Sequence, residues 1–496
     1  MKNTKSLDIR ELGDELLHIS KLKGHKHPFR QNYINQIFQK WNENHCISKI
    51  SLLDLPEYYR VTFAEEAKSF FEAILKKIKD TFGLDTVNRR YKVNFYLIDD
   101  YLGGKVSSLT VKSIKKFAGF LNNRNIPFLE FLEEKVIAIN PGRRSKSLKV
   151  DGFPLDLSNE KWASIIGIIL DSRLRKEFVF CSTDKNLAEY VKNSFEKVGL
   201  RPYFKSDDEK YLVKGHSVVK DLLFLCGINT REKQISSNIC LPAWIFDTNR
   251  EYQAIILAKF LDTEGYVCEK KGTVCIAQCN RIILDDSEKY SVLSSSRSTI
   301  IKPSNVESKM IFFGKIDANI QEKILENVPL ILVSTQLLLR NQGINSHLYP
   351  LRLTIDSKGN VSALWNLKIQ TNNDLVKFYK LCEPYITIKY KLARLISIKD
   401  KKTNLLPRQL KKVFYLKHAQ ILEQRTGFFT VSEMIAFTNR AAKSVYNEIG
   451  ALEQKGYFYS IFKNGHIKHR KLTLLGKQYL DENNCSLEEY DSLFLR

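Results

Sequence analysis

The sequence has no stretch long and apolar enough to span a bilayer. Its longest apolar runs, about Trp162 to Leu170 and Pro329 to Val333, fall far short of the ~20 residues that a spanning helix needs. The first residues, MKNTKSLDIRELGDEL, are charged and lack the apolar core of a signal peptide. Paired cysteines are also missing. Nine cysteines are scattered through 496 residues; Cys275 and Cys279 stand four apart, no CxxC pair exists, and no histidine cluster accompanies them. That pattern speaks against a disulfide framework and against a zinc site, and leaves free thiols in a reducing cytoplasm. Acid is in deficit: against 78 Lys plus Arg stand 55 Asp plus Glu, a formal net charge of +23. Such an excess favours a polyanionic partner, nucleic acid first, although lysine-rich composition alone can produce it. The remainder, 43% hydrophobic and 27% charged, is an ordinary globular mixture long enough for about three domains.

Residues 1–88 read as a helical region. Ile9 to Leu22 and Phe63 to Phe82 carry apolar residues at three- and four-residue spacing. Residues 89–150 read as a small helical module of helix-turn-helix type, or a packing module, with its linker. Ser107 to Thr110 can cap a helix running to Leu121, and a second helix follows Pro127. The stretch 140–149, NPGRRSKSLK, reads as a linker able to touch phosphate.

From about residue 158 the pattern changes. A helix (Glu160 to Leu170) precedes a strand-like run (Glu177 to Ser182), a helix (Asn186 to Val198), a strand (Tyr211 to Val213) and a helix (Val218 to Cys226). The order then restarts: a helix (Tyr252 to Leu261), a strand (Thr273 to Gln278), a helix (Ile331 to Asn341), strands at Leu348 to Ile355 and Ala363 to Ile369, and a helix (Asp374 to Leu381). Two passes through one order predict an internal duplication, 155–250 and 251–398. The Ser-rich stretch 286–312 interrupts the second pass and reads as a flexible surface loop.

Residues 405–496 read as a winged helix. A helix runs from about Arg408 to Glu423. Thr430-Val431-Ser432-Glu433 can start a second helix with a capping box. A third, Asn439 to Lys455, would bury Ala442, Val445, Ile449 and Leu452. Asn464-Gly465 then turns a hairpin, the wing. Residues 389–477 hold 19 Lys plus Arg against five acids, so this end carries most of the chain's excess charge. Arg440, Lys443, Ser444 and Asn447 fall on the exposed face of the third helix. Lys463, His466, Lys468, His469, Arg470 and Lys471 fall on the wing. These positions suit phosphate contact and groove reading; the plainer reading is a solvated face.

Two segments add a resemblance. Ile165-Ile166-Gly167-Ile168-Ile169-Leu170-Asp171-Ser172-Arg173-Leu174 and Leu257-Ala258-Lys259-Phe260-Leu261-Asp262-Thr263-Glu264-Gly265-Tyr266-Val267 both resemble the LAGLIDADG helix of the homing endonuclease family, which occurs twice in monomeric members. Leu241 to Ile245 and Leu337 to Ser346 are similar to segments of archaeal and intein-borne members. The resemblance covers about 155–395. It implies an α+β fold: a two-repeat αββαββα saddle over duplex DNA, in a monomer with an internal pseudo-twofold axis. An acidic residue at the foot of each helix would hold Mg²⁺ over the scissile phosphates, and strand residues would contact bases and phosphates.

The departures from the family pattern matter more than the match. The catalytic position of the second helix is Glu264; that of the first is Ser172, followed by Arg173 where glycine belongs. Asp171 lies one residue earlier, a rotation of about 100° on a helix. Gln278 stands at the polar strand position that the family uses near the metal; in the first repeat Ser182 and Thr183 stand there. Lys259 replaces a small residue of the helix interface, and with Ala258 adjacent a slight rotation of the helix is expected.

Two functions remain open at this point. The first is a double-stranded DNA-binding protein of the cytoplasm and nucleoid, with cleavage impaired by serine at 172. Sporulation regulators that pair a degenerate LAGLIDADG domain with a helix-turn-helix are an analogy for it. The second is a Mg²⁺-dependent homing endonuclease or nickase using Glu264, with Asp171 and Gln278 as further candidates. A maturase acting on RNA is a third role known in the family. The ends, Met1 and Phe494-Leu495-Arg496, lack splicing residues, so a self-splicing intein is not expected.

Overall fold

The computed structural model describes residues 35–39, 41, 47–142, 147–169, 173–174, 178–207, 210–228, 239–295, 298–301, 308–403, 408–438, 441–463 and 467–482. The predicted helix at Ile9 to Leu22 lies outside them. The chain divides into two units, Met1–Lys399 and Asp400–Arg496. No helix of the described residues is long and apolar enough to cross a membrane.

The first unit begins with β1 (Lys49–Ile50), β2 (Arg60–Phe63), α1 (Ala67–Phe82), α2 (Leu84–Tyr91), α3 (Tyr96–Leu102), β3 (Leu109–Thr110), α4 (Val111–Asn122), α5 (Leu129–Glu133), β4 (Val136–Asn140), β5 (Leu148–Lys149) and β6 (Leu155–Asp156). The spacing of Phe71, Ile74, Leu75 and Ile78 lays one face of α1 into the core. Thr110 caps α4 as expected, its hydroxyl accepting from the Ser113 N–H at 3.2 Å. The wholly helical readings of 1–88 and 89–150 are corrected. Strands from both sides of residue 88 share the sheet β3-β2-β4-β5, and strands of two to five residues are too short to display a period in sequence. Of the segment read as a linker, 140–149, residues 143–146 lie outside the described residues; its ends belong to the paired strands β4 and β5, and Leu148 is buried. This layer docks on the rest of the unit through polar anchors. The Tyr59 hydroxyl donates to Asp221 at 2.7 Å, and the Trp41 indole N–H donates to the Leu241 carbonyl at 2.8 Å.

Two passes through one order of elements follow. The first pass is α6 (Glu160–Ile169), β7 (Arg173–Leu174), β8 (Phe178–Ser182), α7 (Lys185–Lys197), β9 (Tyr203–Asp207), β10 (Lys210–Lys214) and α8 (Ser217–Leu225). The second starts with α9 (Arg250–Glu264), β11 (Gly265–Cys268) and β12 (Thr273–Arg281). After an insertion of α10 (Asp286–Ser294), β13 (Thr299–Ile301), β14 (Ser308–Phe312) and α11 (Ala318–Glu326), it resumes with α12 (Leu330–Asn341), β15 (His347–Asp356), β16 (Val361–Ile369) and α13 (Asn372–Cys382). Each pass folds a sheet in the same order: β7-β8-β10-β9 in the first, β11-β12-β16-β15 in the second, all antiparallel. The inserted β14 and β13 extend the second sheet beyond β15. The loop reading of 286–312 is therefore corrected. Asp285 and Glu288 form a reciprocal capping box that starts α10, and the strands are secured by ladder pairing rather than by their own composition. Helix α14 (Lys389–Thr403) follows.

The second unit holds α15 (Arg408–Thr426), α16 (Val431–Thr438), α17 (Ala442–Gln454), the hairpin β17 (Phe458–Lys463) and β18 (Ile467–Leu472), and α18 (Leu474–Glu482). The elements come in the order expected from the sequence. Phe429, just before α16, bridges Arg470 of β18 through two backbone hydrogen bonds of 3.0 and 2.9 Å. The capping box at α16 is formed, Thr430 and Glu433 exchanging hydrogen bonds. Val445, Ile449 and Leu452 are buried as expected; Ala442 is exposed, because it sits in the first turn, ahead of the packed face.

Candidate nucleic-acid interface

The two passes meet where α6 packs against α9. Every residue of α9 from Tyr252 to Asp262 is buried, as in a helix enclosed on all sides. Gly167 of α6 makes the approach possible. A Cβ built there would lie 2.7 Å from the Lys259 Cβ, 3.0 Å from the Ile256 carbonyl oxygen and 3.2 Å from the Ile256 Cα. Lys259 thus faces the seam itself, and the rotation expected from Ala258 is corrected: the missing side chain on α6 provides the room.

Lys259 is wholly buried and charge-paired. Its ammonium donates to Asp262 Oδ2 at 3.0 Å, to Thr387 Oγ1 at 2.5 Å and to the Tyr385 carbonyl, and lies 3.8 Å from the centre of the Tyr190 ring. Burial pulls the ammonium below its usual range, and the Asp262 charge opposes that. Asp262 also accepts from the Thr387 and Ile388 N–H groups at 2.9 and 3.2 Å. This acid is committed to structure.

Glu264 is the last residue of α9, and the Gly265 N–H closes the helix on the Leu261 carbonyl. A Cβ on Gly265 would lie 2.7 Å from that carbonyl oxygen, so glycine is required by space. Cys279 of β12 is exposed, yet its thiol is pushed up by desolvation and by the Glu264 carboxylate. Gln278 alternates onto the other face of β12, opposite Trp365, and its buried amide nitrogen makes no hydrogen bond. Asp171 and Ser172 lie outside the described residues. Among the described residues no group of three His, Cys, Asp or Glu could hold a metal. Glu264 alone does not make the octahedral oxygen shell that Mg²⁺ demands.

Strand alternation sorts the sheets into an inner and an outer face. In the second sheet Val274, Ile276, Ala363, Leu367 and Leu353 turn into the core. Arg281, Lys368, His347, Tyr349 and Arg352 take the opposite phase, with His347 beside Lys368 and Tyr349 beside Asn366. Arg352 reaches that face because the register shifts between Pro350 and Arg352, leaving Leu351 without a partner; a bulge of this kind re-aims the residues that follow it. In the first sheet Phe178, Phe180 and Val213 are buried, and Lys205, Lys210 and Lys214 alternate outward. The Lys214 ammonium sits 5.8 Å from the centre of the Tyr203 ring. On the second sheet, Asp356 is held by Asn360 and the turn amides, which keep its carboxyl below the usual range. The outer faces are therefore basic. No motif in the sequence singles out the residues of these faces; alternation in Lys210-Tyr211-Leu212-Val213-Lys214 is the signal that could have found them.

In the second unit Lys443 and Asn447 are exposed on α17, with Ser444 half-buried and Tyr446 exposed beside them. Arg440, His466 and the side chain of Lys463 lie outside the described residues. Within β18 the basic run divides. Lys468 and Arg470 share the phase of Leu472, and both pair with Glu453 of α17, at 2.7 and 3.1 Å. Arg470 is buried. Its expected place on an exposed wing is corrected: consecutive strand residues cannot share a face. Lys471 takes the opposite phase, beside Tyr459. Burial would raise the Glu453 carboxyl, but hydrogen bonds from Lys468, Ser460 and Arg470 outweigh it and hold the group below its usual range. Its contribution is then present above the unfolded value and lost as pH falls through the folded one. Glu453→Gln should destabilise the α17–hairpin packing by about 1–3 kcal/mol. Amide exchange in β17 and β18 should accelerate roughly tenfold or more; unchanged protection would show the cluster to be a surface ornament.

No protein-family model matches the sequence, and no curated protein matches it. Among solved structures the chain is similar to mesophilic variants of the homing endonuclease I-DmoI, with 13% identity and a TM-score of 0.23 over 45% of this chain and 95% of that one. It is similar to the homing endonuclease I-WcaI bound to its DNA recognition sequence, with 16% identity and a TM-score of 0.24 over 48% and 87%. It is also similar to full-length WhiA from Thermatoga maritima, with 8% identity and a TM-score of 0.24 over 61% and 93%. Likeness at this level carries no weight of its own, and the fold rests on the repeated strand order and the helix seam.

Proposed function

We propose that this protein binds double-stranded DNA as a LAGLIDADG-type monomer, laying the outer faces of its two repeat sheets against the duplex as a saddle. The observation that carries the reading is the duplication itself. Two sheets of one strand order, joined at a single glycine-spaced helix seam, both turn their basic residues outward. Charge of this sign meets phosphate, while Arg, Asn and Tyr on strands can read base edges. The second unit then acts as a winged helix, with α17 supplying Lys443, Ser444 and Asn447 to the groove, Arg440 preceding it, and Lys463 and Lys471 on the hairpin. A cytoplasmic, nucleoid-associated location follows from this partner.

On the same reading, serine at 172 in place of a carboxylate impairs double-strand cleavage. A second reading, a magnesium-dependent nickase centred on Glu264 with Gln278 or Asp171 assisting, is favoured by one observation. Glu264 stands at the helix end beside Gly265, close enough to Cys279 for its charge to push that thiol up. A pooled random-sequence duplex library, incubated with Mg²⁺ and sequenced for cuts and nicks, separates the two. Binding without cutting, and cutting gained on Ser172→Asp, supports the first. Reproducible nicks lost in Glu264→Gln supports the second.

A further inference from the structure

The layer before the repeats has a charged surface that the duplication does not use. Residues 84–92 and 111–124 contain seven basic residues and one acid, Asp85, and Asp85 accepts from the Tyr96 hydroxyl at 2.8 Å. On α4, Lys112, Lys116, Gly119 and Asn122 are exposed and Lys115 is half-buried, at the spacing of one helix face. Arg89, Arg90 and Lys92 are exposed at the end of α2.

The two helices are locked into one surface. The Lys116 ammonium reaches the Lys92 carbonyl at 3.5 Å, and Tyr91 meets Phe120 edge-on at 5.3 Å. Arg124 clamps the junction, donating to the Phe120 carbonyl at 2.7 Å and lying 4.9 Å from the Tyr91 ring centre. Three cations elsewhere in this layer are spent on acids: Lys68 on Glu65, Lys79 on Asp99, Lys105 on Asp100. None of the six cations on the α2–α4 surface is in an ion pair among the described residues. The surface is also tied to the first repeat. The Lys112 and Val111 N–H groups donate to the Glu57 and Tyr59 carbonyls, and Tyr59 is bonded to Asp221 of α8, the helix that begins just beyond Lys214.

We propose that the α2–α4 surface is a second DNA contact, holding the sugar-phosphate backbone of duplex next to the stretch gripped by the repeat sheets. It rests on the reading that the sheets bind duplex DNA. The chemistry is that of non-specific contact: unpaired Lys and Arg with interleaved Asn and an exposed glycine, and no acid along the α4 face. The contact adds affinity and salt sensitivity without adding sequence preference.

The test uses the full chain and a long random-sequence duplex, followed by fluorescence anisotropy over a range of salt. One variant carries Arg89→Gln, Arg90→Gln, Lys112→Gln, Lys115→Gln and Lys116→Gln, exchanges to a residue of similar helix propensity at positions that are exposed or, for Lys115, half-buried. The other carries Arg281→Gln, Arg352→Gln and Lys368→Gln. Unchanged thermal melts establish that both are folded. We expect the first variant to bind about tenfold or more weakly, with the slope of log Kd against log salt reduced by about 2–4, near 0.9 for each phosphate no longer neutralised. An unchanged slope, or a loss confined to structured RNA, overturns the inference. If only the first variant loses affinity and the sheet variant binds like wild type, the α2–α4 contact stands and the sheet reading falls.

Discussion

Asp262→Ala should lower the stability of the first unit by about 3–5 kcal/mol, the scale of breaking a buried ion pair from one side. Three losses coincide. The Lys259 ammonium keeps only neutral acceptors, Thr387 and the Tyr385 carbonyl, with the Tyr190 ring beside it. The Thr387 and Ile388 N–H groups lose their shared acceptor. The segment they belong to, just after α13, is held to α9 less firmly, by the Lys259 contacts and by the Lys391 ammonium on the Leu261 and Asp262 carbonyls. Lys259→Met should cost clearly less, because Asp262 would keep two backbone donors and the methionine stem still fills the seam. Urea denaturation followed by tryptophan fluorescence reports on this directly, since Trp162 of α6 and Trp365 of β16 are buried in the unit. A cost for Asp262→Ala no larger than that for Lys259→Met would show the acid to be dispensable.

Gly167→Ala should cost about 1–3 kcal/mol, and Gly167→Val more, by overpacking the seam. Two of the three close contacts are with the backbone of Ile256, so no side-chain change on α9 relieves them. The penalty of Gly167→Ala should therefore persist in a Lys259→Ala background. Lys259→Ala also keeps the Cβ that makes the third contact, so a penalty that vanishes there would come from the longer lysine stem rather than from any of these three contacts. A spread seam also moves the sheets apart, so the duplex affinity of Gly167→Val should fall with its stability. Binding kept at full strength in a destabilised variant would separate the seam from the proposed interface.

The parts of the fold legible in sequence are those with long periods. Helices α6, α9, α12 and α17 and strands β12, β15 and β16 repeat apolar residues often enough to be recognised, and their order exposes the duplication. What escapes is short or depends on a distant partner. Strands β7, β9 and β11 have two to five residues and are defined by the ladders they join. The inserted β13 and β14 owe their place to the edge of β15. Arg352 joins the basic face through the unpaired Leu351, which a strict alternation would miss. Lys468 and Arg470 group with Lys471 when the run is taken as one patch; the two-residue period of β18 turns them to Glu453 instead. Lys259 looks like a misfit on its own helix, and only Gly167, some 90 residues away, explains it. The site is legible to the extent that its residues act locally, at Glu264 and Gly265, and obscure where two elements define it together.

The two halves are copies in order but not in extent: among the described residues, four strands make one sheet and six the other. At about 4.8 Å between neighbours, the extra strands widen the second half by roughly 10 Å, the length of about three base pairs of duplex. With Gly167 on one side of the seam and Lys259 on the other, turning the molecule over does not restore it. On the proposed reading, the protein then has a front and a back with respect to a double helix. An inverted repeat would fit one half and overrun the other, so a bound site would carry a direction.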